Sequence, residues 1–162
     1  MEIERKWLVK KEKIPYDLEK LESEEIEQAY ISFSPTIRVR KIDGRRFILT
    51  VKSKTSSKLS REEYETDITK EDYNGLIKKS EGRVISKTRY LNRRADGLLE
   101  EIDIFHGEFD GLCYMEIEFG DEKAAEDFPS PEWIEKDVSD EKGYSNGDLA
   151  KYGMPKEAAT NS

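Results

Sequence analysis

Met1-Glu2-Ile3-Glu4-Arg5-Lys6-Trp7-Leu8-Val9 opens the chain. Read as a β-strand, it alternates its side chains with period two. Glu2, Glu4 and Lys6 then share one face, while Ile3, Trp7 and Val9 share the other with Arg5 among them. One face is apolar and suited to a core; the other is charged with both signs. A solvated strand can carry the same pattern, so the stretch acquires meaning only because later segments repeat it.

Working outward, Ile14 to Leu18 reads as the start of a short helical segment, with Pro15 suited to a first turn. Residues 26–33 read as a second strand closed by a Ser34-Pro35 turn. Thr36 to Ile42 and Arg46 to Ser53 form a hairpin around Asp43-Gly44. A two-residue turn there would set Leu49 opposite Arg38 and mix charged with apolar side chains on each face. A loop with an odd number of residues, such as a three-residue turn ending at Gly44, aligns the faces. Arg38, Arg40 and Lys52 then lie together, opposite to Ile37, Val39, Leu49 and Val51.

Residues 55–60 read as a flexible polar loop, and Arg61 to Ile68 as a strand with Glu63 and Glu65 on one face. Thr69 to Asp72 resembles a capping box for a helix running through Ser80 and ended by Gly82, with Tyr73, Leu76 and Ile77 as its buried stripe. Arg83 to Arg93 and Leu98 to Phe105 form a hairpin around Asp96-Gly97 that puts Lys87 with Arg89 and Glu101 with Asp103. Leu112 to Phe119 is the eighth strand and presents Glu116 and Glu118 together. Short helices are expected at 121–127, after Ser130-Pro131 and at 146–152, with a frayed tail over 155–162.

The 162 residues fit a single domain, 1–162, large enough to bury a core. Charged residues make up 40% and hydrophobic ones 35%, a composition that leans toward disorder, but the sustained period-two patterning argues for a folded β-rich protein. A net charge of -8 speaks against a general nucleic-acid binder. The single Cys113 excludes an intrachain disulfide and reads as a small buried hydrophobe in a reducing compartment. With neither a signal-peptide pattern nor an apolar run of membrane-spanning length, a cytoplasmic protein without membrane association is expected. His106 reads as a loop residue, Trp7 and Trp133 as exterior packing that anchors a covering helix, and Lys78-Lys79 and Arg93-Arg94 as solvated faces.

Seven of the eight strands carry charges at alternate positions on one face, in all six bases and eight acids. Few helices are available to cover eight strands. Closing the strands into a barrel with the charged faces inward removes the exposed edges and gathers the charges in one cavity. The expected fold is therefore mainly β with short covering helices: an eight-stranded antiparallel closed barrel. Burying so many charges is costly unless they pair or meet a charged ligand. Bases suit a string of phosphates, and acids suit divalent cations that bridge phosphate oxygens.

Glu2-x-Glu4-x-Lys6 resembles the signature of the CYTH domain, the triphosphate tunnel metalloenzymes. The resemblance continues through Arg38-x-Arg40, Lys52, Glu63-x-Glu65, Lys87-x-Arg89, Asp103, Glu116-x-Glu118 and the closing Tyr144-Ser145-Asn146 with Leu149-Ala150. It implies a tunnel that binds a small-molecule triphosphate and, with Mg²⁺ or Mn²⁺, hydrolyses it by in-line attack of water. Carried over by position, Glu2, Glu4, Asp103, Glu116 and Glu118 are the implied metal acids. Lys6, Arg38, Arg40, Lys52, Lys87 and Arg89 are the implied phosphate clamp, with Lys6 and Lys87 also placed in catalysis. Glu63 and Glu65 are implied either at a second metal or in orienting the water; Glu101 has no assigned role. Lys136-Asp137-Val138-Ser139 stands where the family often has Glu-Val-Thr. The same resemblance leaves an adenylate cyclase, attacking with a ribose hydroxyl, and a non-catalytic polyphosphate- or nucleotide-binding module as alternatives. Oligomeric state is left open.

Overall fold

A computed structural model describes residues 1–55, 57 and 59–156, the Lys54 side chain apart. Nine strands are formed: β1 (Glu2–Leu8), β2 (Glu22–Phe33), β3 (Thr36–Ile42), β4 (Arg46–Lys54), β5 (Ser60–Asp67), β6 (Glu81–Arg93), β7 (Leu99–Phe105), β8 (Cys113–Glu118) and the two-residue β9 (Lys136–Asp137). The helices α1 (Lys70–Ile77), α2 (Glu122–Asp127) and α3 (Asn146–Tyr152) are short. Neighbours run in the order β5-β4-β3-β2-β6-β7-β8-β1, and β1 pairs back to β5 through Glu2↔Arg61 and Ile3↔Ser60. This is the closed eight-stranded antiparallel barrel that the alternating charges predict. β9 occupies the rest of the same β1 edge, Trp7↔Asp137 and Leu8↔Lys136, so the first strand exposes no edge to solvent.

The β3–β4 hairpin has the required odd loop. Ile42 pairs with Arg46, so the loop is Asp43-Gly44-Arg45, one residue further along than a turn ending at Gly44. Asp43 (φ 54) and Gly44 (φ 68) both adopt left-handed backbone, which aspartate tolerates and glycine adopts freely. Val39↔Leu49 and Ile37↔Val51 fall outside, and Arg38↔Thr50 falls inside.

Several expectations need correction. β2 begins four residues early, at Glu22, because pairing with β6 (Glu22↔Leu91, Glu24↔Arg89) extends it where no apolar alternation announces a strand. The region after Ile14 holds no α-helix, only a 3-10 turn at Leu18–Lys20, with another just before it at Lys11–Lys13. No helix forms between Pro131 and β9, to which that segment leads directly. Arg94 is not merely solvated, since it pairs with Glu100 (3.2 Å) on the outer face of β7. The polar loop expected over 55–60 includes Ser56 and Lys58, which lie outside the described residues, as does most of the expected tail; Pro155, at its start, is buried.

Gly82 does not end a helix. α1 stops at Ile77, and Gly82 (φ +73) lies within β6, where an added Cβ would sit 2.4 Å from the Ala150 carbonyl oxygen of α3. A backbone oxygen cannot swing away as a side chain would. Gly82→Ala is expected to destabilise the fold by about 1–3 kcal/mol, measured by denaturant unfolding.

Outside the barrel, Trp7 is fully buried against Phe128 (5.9 Å between rings), and its indole N–H donates to Ser130 Oγ at 2.9 Å. Arg5, the charge on that apolar face, donates from Nη1 to the carbonyls of Ala125 and Phe128, both at 2.7 Å, and pairs with Asp137. It thereby ties α2 and β9 to β1. Cys113 is buried in this same cluster. Inside, the pattern changes along the barrel axis. Leu8, Tyr30, Ile85, Phe105 and Tyr114 form an apolar cluster with Leu149 and Ala150 of α3, which stops one end.

Candidate active site

The wall formed by β1 and β8 is built in layers. Leu8 faces Tyr114 at the apolar floor, Lys6 faces Glu116 one layer up, and Glu4 faces Glu118 above that. Toward the solvent-facing mouth, Glu2 meets Lys52 of β4 at 2.8 Å, with Glu63 of β5 at 4.0 Å from the same ammonium. The residues expected at the site thus line a single interior, but they divide by sign. Across the barrel, β3 and β6 supply Arg38, Arg40, Lys87 and Arg89; β8, β1 and β5 supply most of the acids.

Asp103, expected among the metal acids, is placed with the bases instead. It is fully buried, and its carboxylate receives Arg89 Nε and Nη2 (2.8 and 2.9 Å) and Lys87 Nζ (2.7 Å). Both oxygens are thereby engaged. Burial would raise its pKa, but Arg89 and Lys87 outweigh that and hold it well below the usual carboxylate range. Arg89 also forms an ion pair with Glu101 at 2.9 Å, which gives Glu101 a place as that arginine's second acid partner. Arg89 is consequently more a strut between acids than an open anion receptor.

Arg38 and Arg40 are differently disposed. Arg38 reaches Thr50 Oγ1 at 3.3 Å, yet its buried Nε–H has no hydrogen-bond partner. A buried guanidinium donor left without an acceptor inside a basic wall fits an anion that completes it. Arg40 donates from Nε to Gln28 Oε1 at 2.8 Å. Burial, with Arg38 and Arg89 nearby, pulls the Arg40 pKa down to about 9. Burial and the neighbouring arginines likewise bring Lys87 down to about 7, against the pull of Asp103. Each of these shifts is a cost of burying positive charge, and then of crowding it, and an added anion would relieve it.

The acids show the converse. Lys6 pairs with Glu116 at 3.3 Å; burial opposes its charge, but Glu116 and Glu4 raise its pKa above the ordinary lysine value. Glu4 and Glu118 have no ion-pair partner among the described residues. Burial first, then Glu116 and Glu2, push the Glu4 carboxyl up to about 8. Glu63 is pushed to about 8 by burial and by contacts with Glu65 and Glu2, whereas Lys52 outweighs burial to draw Glu2 down to about 2. Glu65 accepts a hydrogen bond from Thr50 at 3.4 Å. Carboxylates crowded without enough cations, all offering oxygen, fit a hard divalent ion that takes some ligands from the protein and the rest from phosphate and water.

Gln28, Thr50 and Asn146 belong to the site without being charged. Asn146 accepts hydrogen bonds from Gln28 Nε2 (2.8 Å) and Lys87 Nζ (2.9 Å) through the same oxygen. Only their period-two placement beside charged neighbours and, for Asn146, the Tyr144-Ser145-Asn146 segment marks them in the sequence. His106 contacts Thr88 Oγ1 at 2.7 Å away from these groups.

With this geometry in place, comparison with known proteins is specific. The CYTH domain family model matches residues 1–151. The chain is 37% identical over 153 residues to the inorganic triphosphatase of Nitrosomonas europaea, covering 92% of this chain and 96% of that protein. It is 39% identical over 127 residues to the inorganic triphosphatase of Acetivibrio thermocellus, covering 76% and 78% respectively. The solved structure of an inorganic triphosphatase superposes with a TM-score of 0.65, at 33% identity over 93% of this chain and 94% of that one.

Proposed function

The chain belongs to the CYTH domain family, and we propose that it is a metal-dependent hydrolase of inorganic triphosphate working inside its barrel. The observation that carries the reading is the division of one interior into a basic wall with an unsatisfied arginine donor and an acidic wall with unpaired carboxylates. A phosphate chain held together with a cation satisfies both walls at once. The floor under Lys6 is apolar and stopped by α3, so a short chain enters from the Glu2–Lys52 mouth.

In this mechanism Arg38, Arg40 and Lys87 hold the non-bridging oxygens, Arg40 with both terminal nitrogens of its fork. Lys6, kept charged by Glu116, offsets negative charge that grows on the leaving phosphates. Glu63 and Glu65 orient the attacking water, and Glu63, in its ionised form, takes its proton. Glu2, Glu4, Glu116 and Glu118 would hold Mg²⁺ or Mn²⁺, which when bound polarises the phosphoryl group under attack. Asp103 and Glu101 keep Lys87 and Arg89 in place from behind. Cys113, buried in the outer core, takes no part.

The test is phosphate release from inorganic triphosphate, ATP and thiamine triphosphate, each with Mg²⁺, Mn²⁺ or EDTA, with products identified. Metal-dependent release, fastest from inorganic triphosphate, is expected. Cyclic AMP and pyrophosphate from ATP would replace the reading by a cyclase. Binding without turnover would replace it by a binding module.

Stability should report the unpaired acids as well. Glu4 and Glu63 keep protons in the folded state at pH values where an unfolded chain has released them, so stability falls as pH rises. From about pH 7 upward, loss of the Lys87 proton acts in the opposite direction, so the clean window is about pH 5 to 7. The melting temperature in EDTA is expected to drop across that window, and Mg²⁺ to raise it more at the upper end than at the lower.

A further inference from the structure

We infer that Asn146, at the start of α3, is a positioning residue that sets the directions of two clamp cations at once; the inference rests on the triphosphate reading of the site. Its carboxamide oxygen accepts from Lys87 Nζ at 2.9 Å and from Gln28 Nε2 at 2.8 Å, and Gln28 in turn accepts from Arg40 Nε at 2.8 Å. One side chain of the stopper helix therefore fixes a lysine on β6 and, through a glutamine on β2, an arginine on β3.

The consequence is geometric. An ammonium has three N–H bonds in a fixed tetrahedral arrangement. Asp103 (2.7 Å) and Asn146 take two, so the third has one direction left. The guanidinium of Arg40, held at Nε, likewise has its terminal nitrogens left as a free fork by the described residues. Gln28 is fully buried and Asn146 nearly so, which removes water as a substitute acceptor. The amide orientation of Asn146 is dictated by its neighbours, because a flip would turn an NH₂ toward the Lys87 ammonium. Neutrality matters too. An amide oxygen aligns Lys87 without adding a negative charge where phosphates bind, a task that a second carboxylate beside Asp103 would do at the expense of the anion.

Asn146 is not the cap of its helix. Ser145 performs that role, its hydroxyl accepting from the Asp148 amide. Replacing Asn146 thus leaves the helix start intact. Asn146→Ala is expected to raise KM for inorganic triphosphate about tenfold, the scale of one hydrogen bond to a charged group, with kcat little changed. Gln28→Ala is expected to raise KM less, since it releases Arg40 alone. The double variant is expected to match Asn146→Ala rather than multiply the two effects, because the residues act through one chain of bonds.

Unchanged KM in Asn146→Ala, a loss confined to kcat, or fully multiplicative effects in the double variant would each overturn the inference. Melting curves establish that each variant folds; should Asn146→Ala not fold, Asn146→Ser and Gln28→Ala are read against the same outcomes. If the wild-type protein turns over no triphosphate, the proposed function fails by itself. Calorimetric binding of inorganic triphosphate in EDTA then decides the inference separately: weaker binding by Asn146→Ala sustains it, and equal binding removes it.

Discussion

Replacing Asp103 by asparagine is expected to cost about 3–5 kcal/mol of stability, the penalty for breaking a buried charge pair by removing one partner. The carboxylate is fully buried and balances two cations, Arg89 by a bidentate pair and Lys87 by a 2.7 Å contact. Without it, the buried Lys87 would face Arg89 and Arg40 with one acid fewer nearby. Denaturant unfolding of the variant measures the loss directly. Adding Lys87→Met to Asp103→Asn should recover part of it, since the second change removes the cation left unpaired. A change within about 0.5 kcal/mol, typical of an indifferent surface site, would mean that the cations do not depend on Asp103 and would return it to the metal acids.

Glu4→Gln is expected to have the largest effect on rate and the opposite effect on the fold. Glu4 lies between Glu116 and Glu2 with no ion-pair partner among the described residues, and burial with those two acids outweighs the attraction of Lys6 and Lys52, so its charge is a net burden on the folded protein until a cation arrives. A neutral amide of the same shape removes that repulsion. The melting temperature near pH 8 in EDTA should hold or rise, while turnover falls about a hundredfold, the scale of a single electrostatic contributor to a transition state, and the Mg²⁺ or Mn²⁺ concentration needed for half-maximal rate increases. Activity and stability moving in opposite directions is what a site held ready for a ligand produces. Wild-type metal dependence would remove Glu4 from the cation site.

The barrel was legible because its lining announces itself. Alternating charges on seven strands leave few other arrangements, and the odd β3–β4 loop follows from aligning Leu49 with Val39 rather than with Arg38. What resisted reading was set by partners distant in sequence. Glu22 to Glu25 join β2 because β6 is there to pair with them, and Gly82 is required by Ala150, far along the chain. Asp103 is the instructive site residue. Alternation places it on the inner face, yet whether an inner acid faces a cation from solution or an arginine from the next strand depends on register, here Arg89↔Asp103. Gln28 and Asn146 escaped because neutral amides look the same in a sequence whether they are idle or bonded to two strands. Leu8 continues the Glu2, Glu4, Lys6 alternation onto the inner face, where it ends the charged lining.

That apolar end imposes an order on traffic. A passage with two open ends lets a substrate arrive at one and its fragments leave at the other. A chamber stopped by Leu8, Tyr114 and Leu149 has one door, so what goes in first comes out last. The fragment nearer Glu2 must depart before the fragment lying over Lys6 can follow, and the deeper one blocks the next arrival for as long as it stays. Product inhibition should therefore be competitive with substrate and dominated by whichever fragment occupies the inner position, and a phosphate chain too long to fit would stall with its tail in the doorway rather than thread through.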